Sequence, residues 1–258
     1  MGTVDEFALV IIESVQQGDK LIGQTLHDEL VTYKKFEEES LSSYYYNIDS
    51  IKKFEDIFDQ LVERARKNVY SFVHIEIHGS EEGLMFSKSE VLAWEQFYAI
   101  TRKLNVQMLN GLIIILSACE GLSQIAKFKP ELRAPYFAIV STFKIITEDQ
   151  ILKGFEAFYN KLFFSLDTLE SVNEMNKAIG AEKPVFHVMK SEHMFDNILN
   201  LDRDPLTTKR IMNELAVQEK SKPKNRNIPF RRIKKNIEKF IRKEAKKNKQ
   251  LKGWFMMN

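Results

Sequence analysis

The side chains of this 258-residue chain that could do covalent chemistry are few: one cysteine, Cys119, and five histidines, two of them four residues apart in FVHIEIHGS at positions 72–80. A thiolate is a strong nucleophile, and a neighbouring imidazole can take its proton or hold it as an ion pair. A pair of Cys119 and His78 could therefore attack a peptide carbonyl. The oxyanion that forms needs donors, and the backbone N–H groups of Gly79 and Cys119 are candidates. A glycine at 79 also lets backbone approach a substrate closely.

His74, Glu76 and His78 alternate along one side of that stretch, so they could instead be zinc ligands, a general base with its support, or the polar side of a strand. Alternate strand side chains stand about 6.6 Å apart, and a catalytic zinc wants three well-placed ligands. No other His/Cys pair has ligand spacing, so the reading invokes no metal and no cofactor. His74 is then a structural histidine under the site. A lone cysteine behind an apolar run is most often a small buried hydrophobe. Cys119, however, stands where its run stops and Glu120-Gly121 begins.

Positioning these groups falls to strands and helices that the sequence announces. Continuous apolar runs at 7–14, 111–119 and 135–143 suit strands buried on both faces, with further strands at 42–48, 72–79 and 184–190. Helical spacing occupies about 21–36, 51–61 (capped by Asp49 or Ser50), 88–103, 147–164 and 166–179, and it resumes beyond Glu192. This alternation predicts an α/β fold with a mostly parallel sheet and helices on both faces. Ligands of such sheets sit beyond the carboxyl ends of the strands. The 41 residues from His78 to Cys119 hold a right-handed crossover, which needs roughly 30. If the two strands are neighbours, both residues emerge at one edge.

Composition sets the frame. The chain is 44% hydrophobic and 29% charged, as for a globular protein with a real core. No apolar run reaches the roughly 18 residues of a membrane span. The first apolar stretch lacks a basic lead and a cleavage site, and Glu6 stands where a myristoylation signal wants Ser or Thr. With one cysteine, no internal disulfide can form, and a cytoplasmic location is expected. The net charge of +2 hides a split: residues 220–252 hold 15 Lys/Arg against Glu238 and Glu244, leaving 23 basic and 34 acidic side chains in 1–219. Two regions are expected, a chemical domain over 1–200 and a helical, strongly basic extension over 201–258. Phe230, Ile233, Ile237, Phe240 and Ile241 share a helical stripe in that extension. It is expected to pack on the acidic body, with nucleic acid, an anionic membrane or a partner groove as other occupants.

HIEIHGSEEGL followed by LIIILSACEG resembles the caspase-like cysteine peptidases of clan CD, and within them the CHAT group. The matching residues are His74, His78-Gly79, Gly83 and Ser117-Ala118-Cys119, with an aromatic helix carrying Phe155, Phe158 and Tyr159 and a helix LESVNEMNKAIG following. The resemblance runs in order from about residue 7 to 189. It implies a three-layer caspase-like fold, with Cys119 as nucleophile, His78 as general base or ion-pair partner, and Gly79 and Cys119 as oxyanion donors. Glu76 departs from the small residue that the group places two before its histidine. Relatives that cleave after Arg or Lys use acids to read that residue. Asp28, Glu120 and Asp149 lie near the expected edge and, with His74 and Glu76, are candidate support or pocket residues, giving a mild preference for a basic residue before the scissile bond. The resemblance further implies a protein substrate, an activating partner and a latent effector in bacterial defence or stress response. Lys224 and Arg226 are then sites for self-cleavage. The competing expectation is a silent caspase-like interaction module whose basic tail, 220–252, binds nucleic acid, membrane or protein.

Overall fold

The computed structural model describes residues 6–16, 18–31, 41–86, 90–165, 167–199 and 229–257, with 217 and 220 standing alone between the last two. The expected helical residues 32–36 and the linker with Lys224 and Arg226 lie outside them. β1 (Glu6–Ser14) lies second from one edge of the sheet, and its apolar run faces both ways: Ala8, Val10 and Ile12 enter one core layer, Leu9 and Ile11 the other. Flanking it are β2 (Leu41–Asn47) and β3 (Val69–Gly79), both parallel to it, then β6 (Ile113–Ser117) and β7 (Ala138–Thr142), also parallel. β8 (Phe186–Lys190) closes the sheet antiparallel to β7. The order is β2-β1-β3-β6-β7-β8.

The chain steps outward from β1 to β2, then returns to the far side of β1 to form β3. That reversal opens a crevice at the carboxyl ends of β1 and β3, where α/β sheets bind their ligands. Helices α2 (Ile51–Ala65) and α3 (Trp94–Gln107) cover one face, burying Phe54, Phe58, Leu61, Phe97 and Leu104. The short α1 (Ile22–Leu26), α4 (Glu148–Ser165) and α5 (Thr168–Ile179) cover the other with Phe155, Phe158, Leu162 and Met175. Asp167 caps α5 by accepting from the N–H groups of Leu169 and Glu170. The expected parallel α/β layering is thus observed.

Three local departures have physical reasons. The helix expected from 88 starts at Trp94, because Val91–Ala93 (β5) pairs with Gly83–Met85 (β4) in a hairpin off β3. Three-residue strands are too short to show a period, and the Trp94 indole N–H, which donates to the carbonyls of Ser80 and Glu81, ties down the hairpin base. Ser50 precedes α2 without a side-chain capping bond; the Ile51 N–H donates to Glu90 Oε2 at 2.8 Å instead. Among the described residues of the tail, most of the anchoring contacts lie at its far end. In α7 (Phe230–Phe255), Ile233 is buried, but Phe230 is 42% exposed; Ile237, Phe240 and Ile241 side chains fall outside the description. Phe255 is buried against Phe195 and Phe128, its carbonyl accepts from the Ala134 N–H, and Lys252 pairs with Asp196 and Glu192 of α6 (Ser191–Leu199). Among the described residues no helix is long and apolar enough to cross a membrane.

Candidate active site

Register brings the two chemical residues together. β3 and β6 pair in parallel, Phe72 with Ile113 through Glu76 with Ser117, and two more residues along each strand bring His78 level with Cys119. Side chains at 74, 76 and 78 then share a face with those at 115, 117 and 119. Beyond the last ladder pair the backbones stay in contact: a Cβ built on Gly79 lies 2.3 Å from the Cys119 carbonyl oxygen and 2.9 Å from Ala118 Cβ. Only glycine permits this approach.

Cys119 leaves the sheet on a tight turn. The Gly121 N–H donates to the Ala118 carbonyl at 3.0 Å, so Cys119 and Glu120 are its two central residues. Glu120 has φ +56°, where side chains other than glycine and asparagine are strained. The turn is anchored to the end of β7 by the Leu122 N–H, which donates to Thr142 at 3.0 Å. Cys119 is left partly exposed. It lines a pocket of about 100 Å³ with His78, Asp19, Glu76 and Ser117.

Asp19 is a partner that sequence reading did not nominate. After β1, Gly18 takes φ +100°, and the chain doubles back so that Asp19 Oδ2 sits 2.8 Å from His78 Nε2. The His78 hydrogen bond, assisted by the Gln16 N–H, holds the Asp19 carboxyl below its usual range against the opposing effect of burial. An ionised carboxylate only accepts, so His78 Nε2 is the donor in this bond, which leaves Nδ1 as the ring nitrogen free to act toward Cys119. The orienting carboxylate selects the tautomer. The sequence signal was modest: Gly18-Asp19 shortly after a buried strand, with three residues between them and its end at Ser14, in a fold whose strand ends bind ligands. If His78 acts as a base on Cys119, Asp19→Asn, which keeps shape but not charge, is expected to lower the kcat of that chemistry about 10- to 100-fold with little change in KM, read by steady-state kinetics on a peptide.

Below this level the same face turns polar but buried. His74 Nδ1 bonds the Tyr159 hydroxyl at 2.6 Å and the ring packs on Phe155, while burial and then the Glu76 charge push the Tyr159 hydroxyl well up. His74 Nε2 lies 3.5 Å from Glu76 Oε2, without hydrogen-bond geometry. His74 therefore stands beneath the pocket, fixed by aromatic neighbours. Glu13, opposite Glu76 across β1 and β3, accepts from the Gly23 and Gln24 N–H groups and the Tyr45 hydroxyl. Burial, reinforced by Glu76, still raises the Glu13 carboxyl above its ordinary value. Just above that value the folded chain holds a proton that the unfolded chain has released, so stability falls as pH rises through the window. Glu13→Gln removes this titration, and the loss in urea midpoint from about pH 5 to about pH 8 is expected to shrink.

The other candidate carboxylates lie off the pocket lining. Asp28 is turned to His27 Nδ1 at 2.9 Å. Asp149 is almost fully exposed and pairs with Lys20 at 3.2 Å. Glu120 is the second central residue of the Cys119 turn. In their place the lining has Asp19 and Glu148, because the loop after β1 and the start of α4 fold over the strand ends. Among the described residues no group of three His, Cys, Asp or Glu side chains could hold a metal ion.

No protein-family model matches the sequence, and no curated protein matches it. Among solved structures the chain is similar to the Drosophila initiator caspase Dronc, with a TM-score of 0.54 over 72% of this chain and 80% of that chain, at 9% identity. The shared property is the fold, a mostly parallel sheet between helical layers, and it is caspase-like.

Proposed function

We propose that this chain is a cysteine endopeptidase working through a His78–Cys119 dyad on a protein substrate. The observation that carries the proposal is the pairing of His78 with Asp19 in the same pocket that exposes Cys119. His78 Nδ1 takes the Sγ proton, and the thiolate attacks the substrate carbonyl carbon. The Gly79 and Cys119 N–H groups receive the oxyanion. As the C–N bond breaks, the imidazolium returns its proton to the leaving amine. Water, deprotonated by the same nitrogen, then hydrolyses the thioester and restores the thiol.

The ordered motifs from His74 to Cys119 support a CHAT-type, clan CD assignment. With it goes a latent effector in bacterial defence or stress response, set off by an activating partner and acting after a basic residue. The exposed cations Arg231, Arg232, Lys235, Lys239, Lys246, Lys247 and Lys249 along α7 support an anionic partner for the tail, whether nucleic acid, membrane or protein. The test is an acyloxymethyl-ketone probe with the modified peptide mapped by mass spectrometry: the adduct is expected on Cys119. A folded protein that takes no label with any peptide sequence, before or after exposure to its partner, would sink the proposal.

A further inference from the structure

Glu76 stands one level below the dyad, and its position is chemically costly. It is nine-tenths buried, it lines the pocket, and its Oε2 has no hydrogen-bond partner. Ser117, its in-register neighbour on β6, lines the same pocket and also has a buried, unpartnered Oγ. A buried carboxylate without compensation is strongly unfavourable. The nearest basic group, His74 Nε2, approaches at 3.5 Å and belongs to a ring already engaged with Tyr159. Lys20, the cation in the pocket lining, extends its ammonium outward to Glu148 and Asp149 at the rim. The pocket lining therefore includes an unpaired acid one level below the dyad, together with the aliphatic Ile22, Ile146 and Ile151.

We infer that Glu76 is the specificity-determining residue of this pocket, and that it receives the lysine or arginine side chain preceding the scissile bond. This rests on the peptidase reading and names its substrate class. From the level of Cys119 to that of Glu76 is two residues of strand, about 6.6 Å, which the aliphatic stem of a basic side chain spans. The stem lies on the isoleucines; the cationic head meets Glu76 Oε2 and Ser117 Oγ, satisfying two acceptors that lack partners. A neutral side chain of the same length would leave both desolvated and unpaired. The acids Asp28, Glu120 and Asp149 play no part in this recognition.

Two paired peptide comparisons test it: lysine against norleucine, and arginine against citrulline, each pair alike in shape and different in charge. Wild-type kcat/KM is expected to favour the charged member by about 100-fold or more, and Glu76→Gln is expected to bring both ratios close to one. A wild-type enzyme that cleaves neutral or acidic peptides equally well, or a Glu76→Gln variant that keeps its ratios, overturns the assignment and leaves the dyad standing. If no peptide is cleaved and the acyloxymethyl-ketone probe leaves Cys119 unlabelled, the dyad reading fails. The pocket is then read separately by agmatine binding followed by NMR, with Cys119→Ala expected to bind it and Cys119→Ala/Glu76→Gln not. Equal agmatine binding by both proteins, or by neither, overturns the pocket assignment.

Discussion

Cys119→Ala is expected to reduce peptide cleavage by at least about 10⁴-fold while leaving the protein folded. The side chain is partly exposed at the start of a turn, so losing its sulfur opens no sealed cavity, and stability should change by less than about 1 kcal/mol. His78→Ala should fall nearly as far. A nucleophile and its base act as a unit, so the double variant is expected to lose little beyond either single one. Steady-state kinetics on one basic peptide, with thermal midpoints recorded alongside, provides both numbers. A Cys119→Ala protein that keeps a tenth of wild-type cleavage would show that the activity comes from elsewhere.

Gly79→Ala is expected to be severely damaging, because it pushes apart the two strand ends that carry the site. The new Cβ would meet the Cys119 carbonyl oxygen at 2.3 Å and Ala118 Cβ at 2.9 Å. Neither neighbour is the end of a flexible side chain, so the tips of β3 and β6 must part. Overpacking of this sort costs about 3 kcal/mol, read as a lower urea midpoint at unchanged slope. Activity should fall further than the folded fraction does. Moving Cys119 by about 1 Å relative to His78 costs on the order of 100-fold, so kcat per folded molecule is the decisive measurement. A folded, fully active Gly79→Ala enzyme would mean that the two strand ends are not held as closely as the backbone contact implies.

Much of the scaffold was legible because periodicity reports burial directly. Residues 7–14 read as a doubly buried strand, and β1 feeds both core layers with alternate side chains. The run ending at Cys119 and the alternation ending at His78 read as strand ends of one sheet, and β3 and β6 are adjacent and in parallel register. What escaped was set by contacts without a local pattern. β5 is three residues long and exists through pairing with β4. Nothing in PVFHVMK distinguishes an antiparallel edge strand from a parallel one, yet β8 runs against β7. The tail shows an apolar stripe at its start, whereas Phe255 and Lys252 at its end make the described anchoring contacts.

By itself, then, the sequence determined the layering, the order of strands and helices, and the two side chains able to form a nucleophile and base. The layering follows from spacing along the chain, where 2.0 and 3.6 residue periods state which face is buried; the two side chains were singled out by their types, their places at strand ends and the resemblance of their motifs. Only the tertiary structure decided which carboxylates lie at the pocket. Asp19 reaches His78 across 59 residues, Glu76 faces the pocket with Ser117 beside it, and Asp28 and Asp149 turn to His27 and Lys20. A carboxylate's role depends on which charges and donors lie within a few ångströms. That is a property of strand order and loop path, and residue type and spacing do not contain it.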